Sequence, residues 1–312
     1  MLCTCPSSCW DRSSNHPSIP QLVSLFVQSA FDIPWFLYLC TGLSGLVVGS
    51  FLNVVILRLP KMMTQAWRQE CCEFLEQPEP SDAQLNLAFP GSHCPSCGEA
   101  LKPWHNIPLL SYAVLGGKCA HCRTPISLRY PLVEAVTAIL WVAAAVSFGP
   151  TAMLLGALLL IAALITLTGI DLDTQLLPDS ITLPLLWIGL LFNIGGVFVS
   201  LEQAVIGAMA GYLILWSVYW LFKITTGKEG MGYGDFKLLA ALGAWFGWQA
   251  LPLIIILSSF VGAAVGIFLM VVKQRGRDVP IPFGPYLAGA GLLCLFFQTE
   301  LTGLYLALTG LN

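Results

Sequence analysis

The chain has 312 residues, of which 56% are hydrophobic and only 10% are charged, against roughly 25% charged residues in an average soluble domain. Its mean hydropathy is +0.77, and apolar runs of this extent have to meet lipid rather than water. This composition excludes a disordered chain, a coiled coil, a nucleic-acid-binding protein with a basic face and an ordinary soluble enzyme. The chain is therefore predicted to be an all-α polytopic membrane protein.

Eight stretches approach the length of about 20 apolar residues that a bilayer core requires of a helix. An extramembrane N-terminal tail, residues 1–32, precedes the first stretch, residues 33–57, which is rich in glycine. A polar insertion follows at 58–130, and the other seven spans lie within 131–312. They are predicted at 131–148, 151–170, 180–199, 203–222, 236–248, 251–272 and 284–298.

The basic residues predict the orientation, because Lys and Arg concentrate in cytoplasmic loops. With eight spans and an outside N terminus, thirteen of the fourteen Lys and Arg residues fall on one face, and only Arg12 lies opposite. That face also receives the insertion 58–130, the turn 171–179 and the loop 223–235. The chemistry of the protein is therefore expected at the cytoplasmic surface of the membrane.

The insertion contains two CxxC pairs, Cys94–Cys97 and Cys119–Cys122, with 21 residues between them. Four thiolates on two tight turns form a closed tetrahedral site, so a structural Zn²⁺ is predicted rather than a catalytic one. Disulfides are disfavoured in a reducing cytoplasm. A redox CxxC usually comes as one pair near a βαβ pattern, which this sequence lacks. The expected unit is a small cytoplasmic zinc-binding loop domain.

Carboxylates at or inside the predicted spans are costly and usually functional. Asp171 ends the third span, Asp235 begins the sixth after a glycine-rich run, and Glu134 lies one turn into the second. Two carboxylates in one site cannot both ionise easily, so one holds a proton while the other activates water, as in aspartic proteases. The helix start favours an ionised Asp235, and the apolar span favours a protonated Asp171. Asp179 is interpreted as a helix N-cap, and Asp173 as a positioning residue.

Several motifs stand in a characteristic order along residues 40–290. They are Gly49-Ser-Phe-Leu-Asn53 with Arg58-Leu-Pro60, the two CxxC pairs, Pro103-Trp-His-Asn-Ile-Pro-Leu-Leu-Ser-Tyr112, Gly116-Gly-Lys118, Arg129-Tyr-Pro-Leu-Val-Glu134, Asp171-Leu-Asp-Thr-Gln-Leu-Leu-Pro-Asp179, Gly230-Met-Gly-Tyr-Gly-Asp-Phe-Lys237 and Pro280-Ile-Pro-Phe-Gly-Pro-Tyr286. Together they resemble the bacterial type IV prepilin peptidases, a family of GxGD-type aspartic proteases. The N-terminal tail with its cysteines differs from the usual short start of that family.

The resemblance implies an activity and a set of site residues. Family members in the bacterial inner membrane remove the basic leader from type IV prepilins and type II secretion pseudopilins, on the cytoplasmic side and after a Gly. Many then methylate the new N-terminal residue with S-adenosylmethionine. The catalytic aspartates of the family match Asp171 and Asp235, and its zinc ligands match the four cysteines of the CxxC pairs. The residues expected to serve methyl transfer are Gly117, Lys118 and Glu134.

Three other interpretations are weaker. An ion-coupled transporter or channel would place carboxylates near mid-membrane and show related halves, whereas Asp171 and Asp235 lie at span ends. A zinc metalloprotease would need an HExxH motif or an open ligand set. A peptidase without methylation is disfavoured because the cysteine loop, which some family members lack, is retained. The expected partners are prepilins, pseudopilins and the lipid bilayer, with no nucleic acid.

Overall fold

The computed structural model describes residues 34–78, 85–228, 230–273 and 282–309. The predicted N-terminal tail, residues 1–32, lies outside them. Within the described ranges the regular structure is helical, and the all-α prediction is confirmed. The α-helices are α1 (Pro34–Phe74), α2 (Leu110–Val114), α3 (Arg129–Phe148), α4 (Ala152–Thr174), α5 (Asp179–Ile194), α6 (Leu201–Thr226), α7 (Tyr233–Phe246), α8 (Leu251–Lys273) and α9 (Gly284–Thr309).

Five helical stretches in the described part of the chain are long and apolar enough to cross a bilayer. They are α1, α3, α4, α6 and the segment Trp248–Val272, which contains most of α8. Helix α5 is apolar but shorter. The protein is therefore a multi-pass membrane protein, and the total of eight spans stays a prediction.

Helix α1 does not stop where its apolar stretch stops. The span was predicted to end at residue 57, before the charges of Arg58 and Lys61, but the helix runs for 41 residues through Pro60 to Phe74. At 1.5 Å per residue it is about 60 Å long, roughly twice the thickness of a bilayer core. The reason is that Lys, Arg, Gln and Glu end an apolar run while remaining good helix formers.

Helix α7 corresponds to the short sixth predicted span, 236–248, and it forms the centre of the fold. All of its residues from Leu238 to Phe246 are buried, because α5, α6 and α9 pack around it. The indole of Trp245 donates a hydrogen bond of 2.9 Å to the carbonyl of Leu185 in α5. A helix surrounded by protein does not need to match the bilayer thickness, which explains its length of 14 residues.

The glycines of α1 allow it to pack closely against α3. A Cβ added to Gly45 would lie 2.8 Å from the Cα of Ala138, and one added to Gly49 would lie 2.8 Å from the Cα of Glu134. The obstacle in both cases is backbone, which cannot rotate away. Small residues at helix crossings are typical of membrane proteins for this reason.

The replacement Gly45→Ala is expected to destabilise the protein by about 1–3 kcal/mol, the usual cost of overpacking. Thermal unfolding in detergent measures the effect. The matched control is Gly303→Ala in α9, where no atom of the described residues lies within 4 Å of the added Cβ. Both changes raise helix propensity equally, so equal melting temperatures would contradict the close packing of α1 on α3.

Candidate active site

Asp171 lies in the last turn of α4 and is only 4% exposed. Its Oδ2 accepts a hydrogen bond of 2.9 Å from the backbone amide of Gly284. Gly284 is the first residue of α9, and it comes from the Pro-Ile-Pro-Phe-Gly motif, to which the sequence assigned no role. The amide therefore ties the carboxylate of one helix end to the start of a second helix.

Asp235 lies in the first turn of α7 and is 7% exposed. Its own amide donates to the carbonyl of Gly232 at 3.3 Å. Its buried Oδ1 has no hydrogen-bond partner among the described residues. Leu177 contacts both Gly234, which precedes Asp235, and Gly284, which lies against Asp171, so the structure brings the two carboxylates that the sequence singled out to one region.

Leu177, in the turn between α4 and α5, packs between the elements that carry these carboxylates. A Cβ added to Gly234 would lie 2.6 Å from the Cβ of Leu177, and one added to Gly284 would lie 3.1 Å from its Cδ2. Sequence reasoning missed this residue. Its only signal was its place in the motif that begins at Asp171. The contacts explain why glycine precedes Asp235 and why glycine faces Asp171.

The two other acidic residues near the site are engaged in ion pairs. Asp173 pairs with Arg129, whose second guanidinium nitrogen donates to the carbonyl of Gly169 at 3.0 Å. Asp179 accepts from Lys237 at 2.6 Å. The N-cap interpretation of Asp179 was wrong: Pro178 occupies that position, and Asp179 is the first helical residue. These pairs join α3 to α4 and α5 to α7, and they leave Asp171 and Asp235 as the buried pair.

The four predicted cysteines form one cluster, in which all Sγ atoms lie within 4.8 Å of one another. Both CxxC pairs adopt the same turn. In each turn the amide of the residue after the second cysteine donates back to the carbonyl of the first: Gly98 to Cys94 at 2.9 Å and Arg123 to Cys119 at 3.1 Å. Gly98 and Arg123 both have positive φ, +72° and +60°. The donor set is that of a closed tetrahedral zinc site.

The thiols of the cluster affect one another's ionisation. Hydrogen bonds with the side chain and backbone of Thr124 lower the pKa of Cys122 to about 6. A backbone hydrogen bond from Glu99 acts to lower the pKa of Cys97, but desolvation and the neighbouring thiols outweigh it and raise that pKa to about 12. Thiols this close oppose one another's ionisation, and a divalent cation removes the conflict.

The residues expected to serve methyl transfer are placed around α2. Glu134 is buried in α3, and its Oε2 accepts a hydrogen bond of 2.9 Å from the amide of Leu109, the N-cap of α2. A Cβ on Gly117, which has φ +69°, would lie 2.8 Å from the hydroxyl of Tyr112 in α2. Lys118 is exposed. Helix α2 thus connects Glu134 in the membrane helix to Gly117 beside the cysteine cluster.

Comparison with known proteins gives matches along most of the chain. The family model described as "Bacterial Peptidase A24 N-terminal domain" matches residues 43–148, which include the cysteine cluster. The model described as "Type IV leader peptidase family" matches residues 158–267, which include Asp171 and Asp235. No solved structure matches the chain.

Curated relatives match over nearly their whole length. A protein of Pseudomonas aeruginosa is 55% identical over 273 residues, which are 87% of this chain and 94% of the relative. One of Aeromonas hydrophila is 53% identical over 286 residues, 91% of this chain and 99% of the relative. One of Pseudomonas putida is 48% identical over 288 residues, 92% and 100% of the two chains. Each is named "Prepilin leader peptidase/N-methyltransferase".

Proposed function

The chain belongs to the type IV leader peptidase family, and we propose that it is a membrane-embedded aspartic endopeptidase that removes the leader of prepilins and then methylates the new N terminus. The observation that carries the proposal is the buried carboxyl pair of Asp171 and Asp235. Two carboxyl groups in one buried site do not both ionise easily, so one can act as a base toward water while the other acts as an acid toward the peptide carbonyl.

The placement of the pair suits the proposed substrate. Asp171 lies at the C-terminal end of an apolar helix and Asp235 at the N-terminal end of another. An apolar helix of the substrate would lie in the bilayer, and its end would present the scissile bond at the level of the two carboxylates. The bias of Lys and Arg supports a position of this level at the cytoplasmic side of the bacterial inner membrane. Prepilins and pseudopilins, each a basic leader before an apolar helix, fit this arrangement.

The cysteine cluster would hold Zn²⁺ through Cys94, Cys97, Cys119 and Cys122, and the metal would stabilise the loop rather than take part in hydrolysis. A closed shell of four thiolates leaves no position for a water molecule. Because the amide of Leu109 binds Glu134, a folded loop also keeps α2 against the membrane helices.

S-adenosylmethionine is the co-substrate of the proposed second activity, and it would supply the methyl group. We propose Gly117, Lys118 and Glu134 as residues that serve this step. The contacts of Gly117 and Glu134 support a contribution through the conformation of the loop, since each contacts α2 or its N-cap. Exposed Lys118 lies next to them in the chain and offers a positive charge.

The test is mass spectrometry of a prepilin incubated with the purified protein, with and without S-adenosylmethionine. We expect loss of the leader in both reactions and one additional methyl group only when the methyl donor is present. A prepilin whose Gly before the scissile bond is replaced serves as the control and should stay intact. Leader loss without methylation would restrict the protein to the peptidase activity, and an intact wild-type prepilin would contradict the proposal.

A further inference from the structure

The two carboxyl groups of the proposed dyad have different surroundings, a difference that bears on mechanism if the chain is the peptidase proposed above. Oδ2 of Asp171 accepts a hydrogen bond of 2.9 Å from the amide of Gly284. Oδ1 of Asp235 is buried and has no hydrogen-bond partner within the described ranges. One carboxyl group therefore has a fixed donor, and the other has an oxygen without one.

This difference decides which group holds the charge. An ionised carboxylate only accepts hydrogen bonds, whereas a protonated one also donates. A donated N–H stabilises the charged form, and the start of α9 adds the positive end of a helix dipole at the same atom. Asp235 also lies near a helix start, but its own amide donates to the carbonyl of Gly232, and its Oδ1 receives no hydrogen bond from the described residues. A direct hydrogen bond to a charged oxygen outweighs the weaker field of a helix end.

We propose that Asp171 is the ionised member of the dyad and the general base, that Asp235 carries the proton, and that the Gly284 amide is the positioning group that establishes these roles. This reverses the expectation from sequence, which considered only the dipole of the helix that bears Asp235 and the apolar span that bears Asp171. The sequence could not predict the hydrogen bond from the Gly284 amide, because 113 positions separate Gly284 from Asp171.

The assignment gives a balanced hydrolysis. Asp171 takes a proton from water as the water oxygen bonds to the carbonyl carbon, and Asp235 gives its proton to the carbonyl oxygen, which leaves a neutral gem-diol. The carbon–nitrogen bond then breaks as the nitrogen takes the proton from Asp171. Asp235 regains a proton from one hydroxyl of the diol, and the dyad returns to its starting state.

Gly284 has a second property that makes it testable. A Cβ at this position would lie 2.6 Å from Oδ2 of Asp171 and 3.2 Å from its Cγ. Any side chain there must displace the carboxylate from the amide that holds it. The matched control is Gly289 in the same helix, where an added Cβ meets no atom within 4 Å in the part of the chain that the structure describes.

In the purified full-length protein, Gly284→Ala is expected to lower kcat about 100-fold, as displacements of about 1 Å in active sites do. The acid limb of the pH–rate profile should also move to higher pH, because the base loses its donor. Gly289→Ala should keep the wild-type rate and profile. A Gly284→Ala protein with a wild-type rate, or with an unshifted acid limb, would overturn the role of the amide.

The location of the proton is measured directly by infrared difference spectroscopy of the same protein without substrate. The C=O stretching band of a buried carboxylic acid should be present in the wild type, disappear in Asp235→Asn and remain in Asp171→Asn. Loss of the band in Asp171→Asn instead, or in neither variant, would overturn the assignment. Because no substrate is involved, such a result with an active wild-type enzyme refutes the assigned roles while leaving the proposed peptidase function intact.

Discussion

Asp235→Asn is expected to lower the rate of leader cleavage by about 1000-fold or more, and Asp171→Asn to do the same. A positioned acid or base contributes about 10² to 10⁴ in rate, and residues that act as one unit lose most of the activity when either is removed. The amides are nearly isosteric with the carboxyl groups, so both variants should insert in the membrane and fold. Initial rates on a purified prepilin in detergent measure the effect.

The double variant separates a dyad from two independent contributions. If the two carboxyl groups act together, Asp171→Asn/Asp235→Asn should be no slower than either single variant. Glu202→Gln is the matched control, because Glu202 is an exposed carboxylate in the first turn of α6, at the other end of that helix from the loop leading to Asp235. Substantial activity in either Asn variant, together with a wild-type Glu202→Gln, would refute the aspartic mechanism.

Cys119→Ser is expected to remove the metal and unfold the loop. Cys119 is buried within the cluster, 5% exposed, and its carbonyl and amide also bond within its own turn. Structural zinc contributes about 10–16 kcal/mol to the folding of zinc-finger peptides, far more than so small a module has from its core. Elemental analysis should find one zinc per chain in the wild type and close to none in the variant.

Unfolding of the loop should affect the two proposed activities unequally. Methylation should be lost, because Gly117 and the N-cap of α2 belong to the loop. Leader cleavage should decrease less, since Asp171 and Asp235 belong to helices outside it. Cys72→Ser, a cysteine near the end of α1 and outside the cluster, is the matched control and should keep both activities. A wild-type protein without zinc, or a Cys119→Ser protein that keeps it, would contradict the structural zinc site.

Local sequence patterns were sufficient to predict apolar helices and to identify the main candidate site residues. Apolar runs predicted the spans because lipid imposes the same requirement on every residue of a stretch, whatever its partners. The paired cysteines predicted a metal site because a spacing of two residues lets one tight turn present both thiols to the same ion. Helix ends were predicted less accurately: α1 continues 17 residues beyond residue 57, to Phe74, because a change in polarity does not end a helix.

The sequence alone determined that the protein spans the membrane, that four cysteines form one site and that Asp171 and Asp235 are the carboxylates to consider. Each of these follows from a requirement that acts locally, on one apolar stretch or one turn. The tertiary structure decided the rest: the amide of Gly284 on Asp171, the packing of Leu177 against Gly234, and the pairing of Asp179 with Lys237. These contacts join residues distant in the chain, and a buried carboxyl group takes its protonation state from such neighbours.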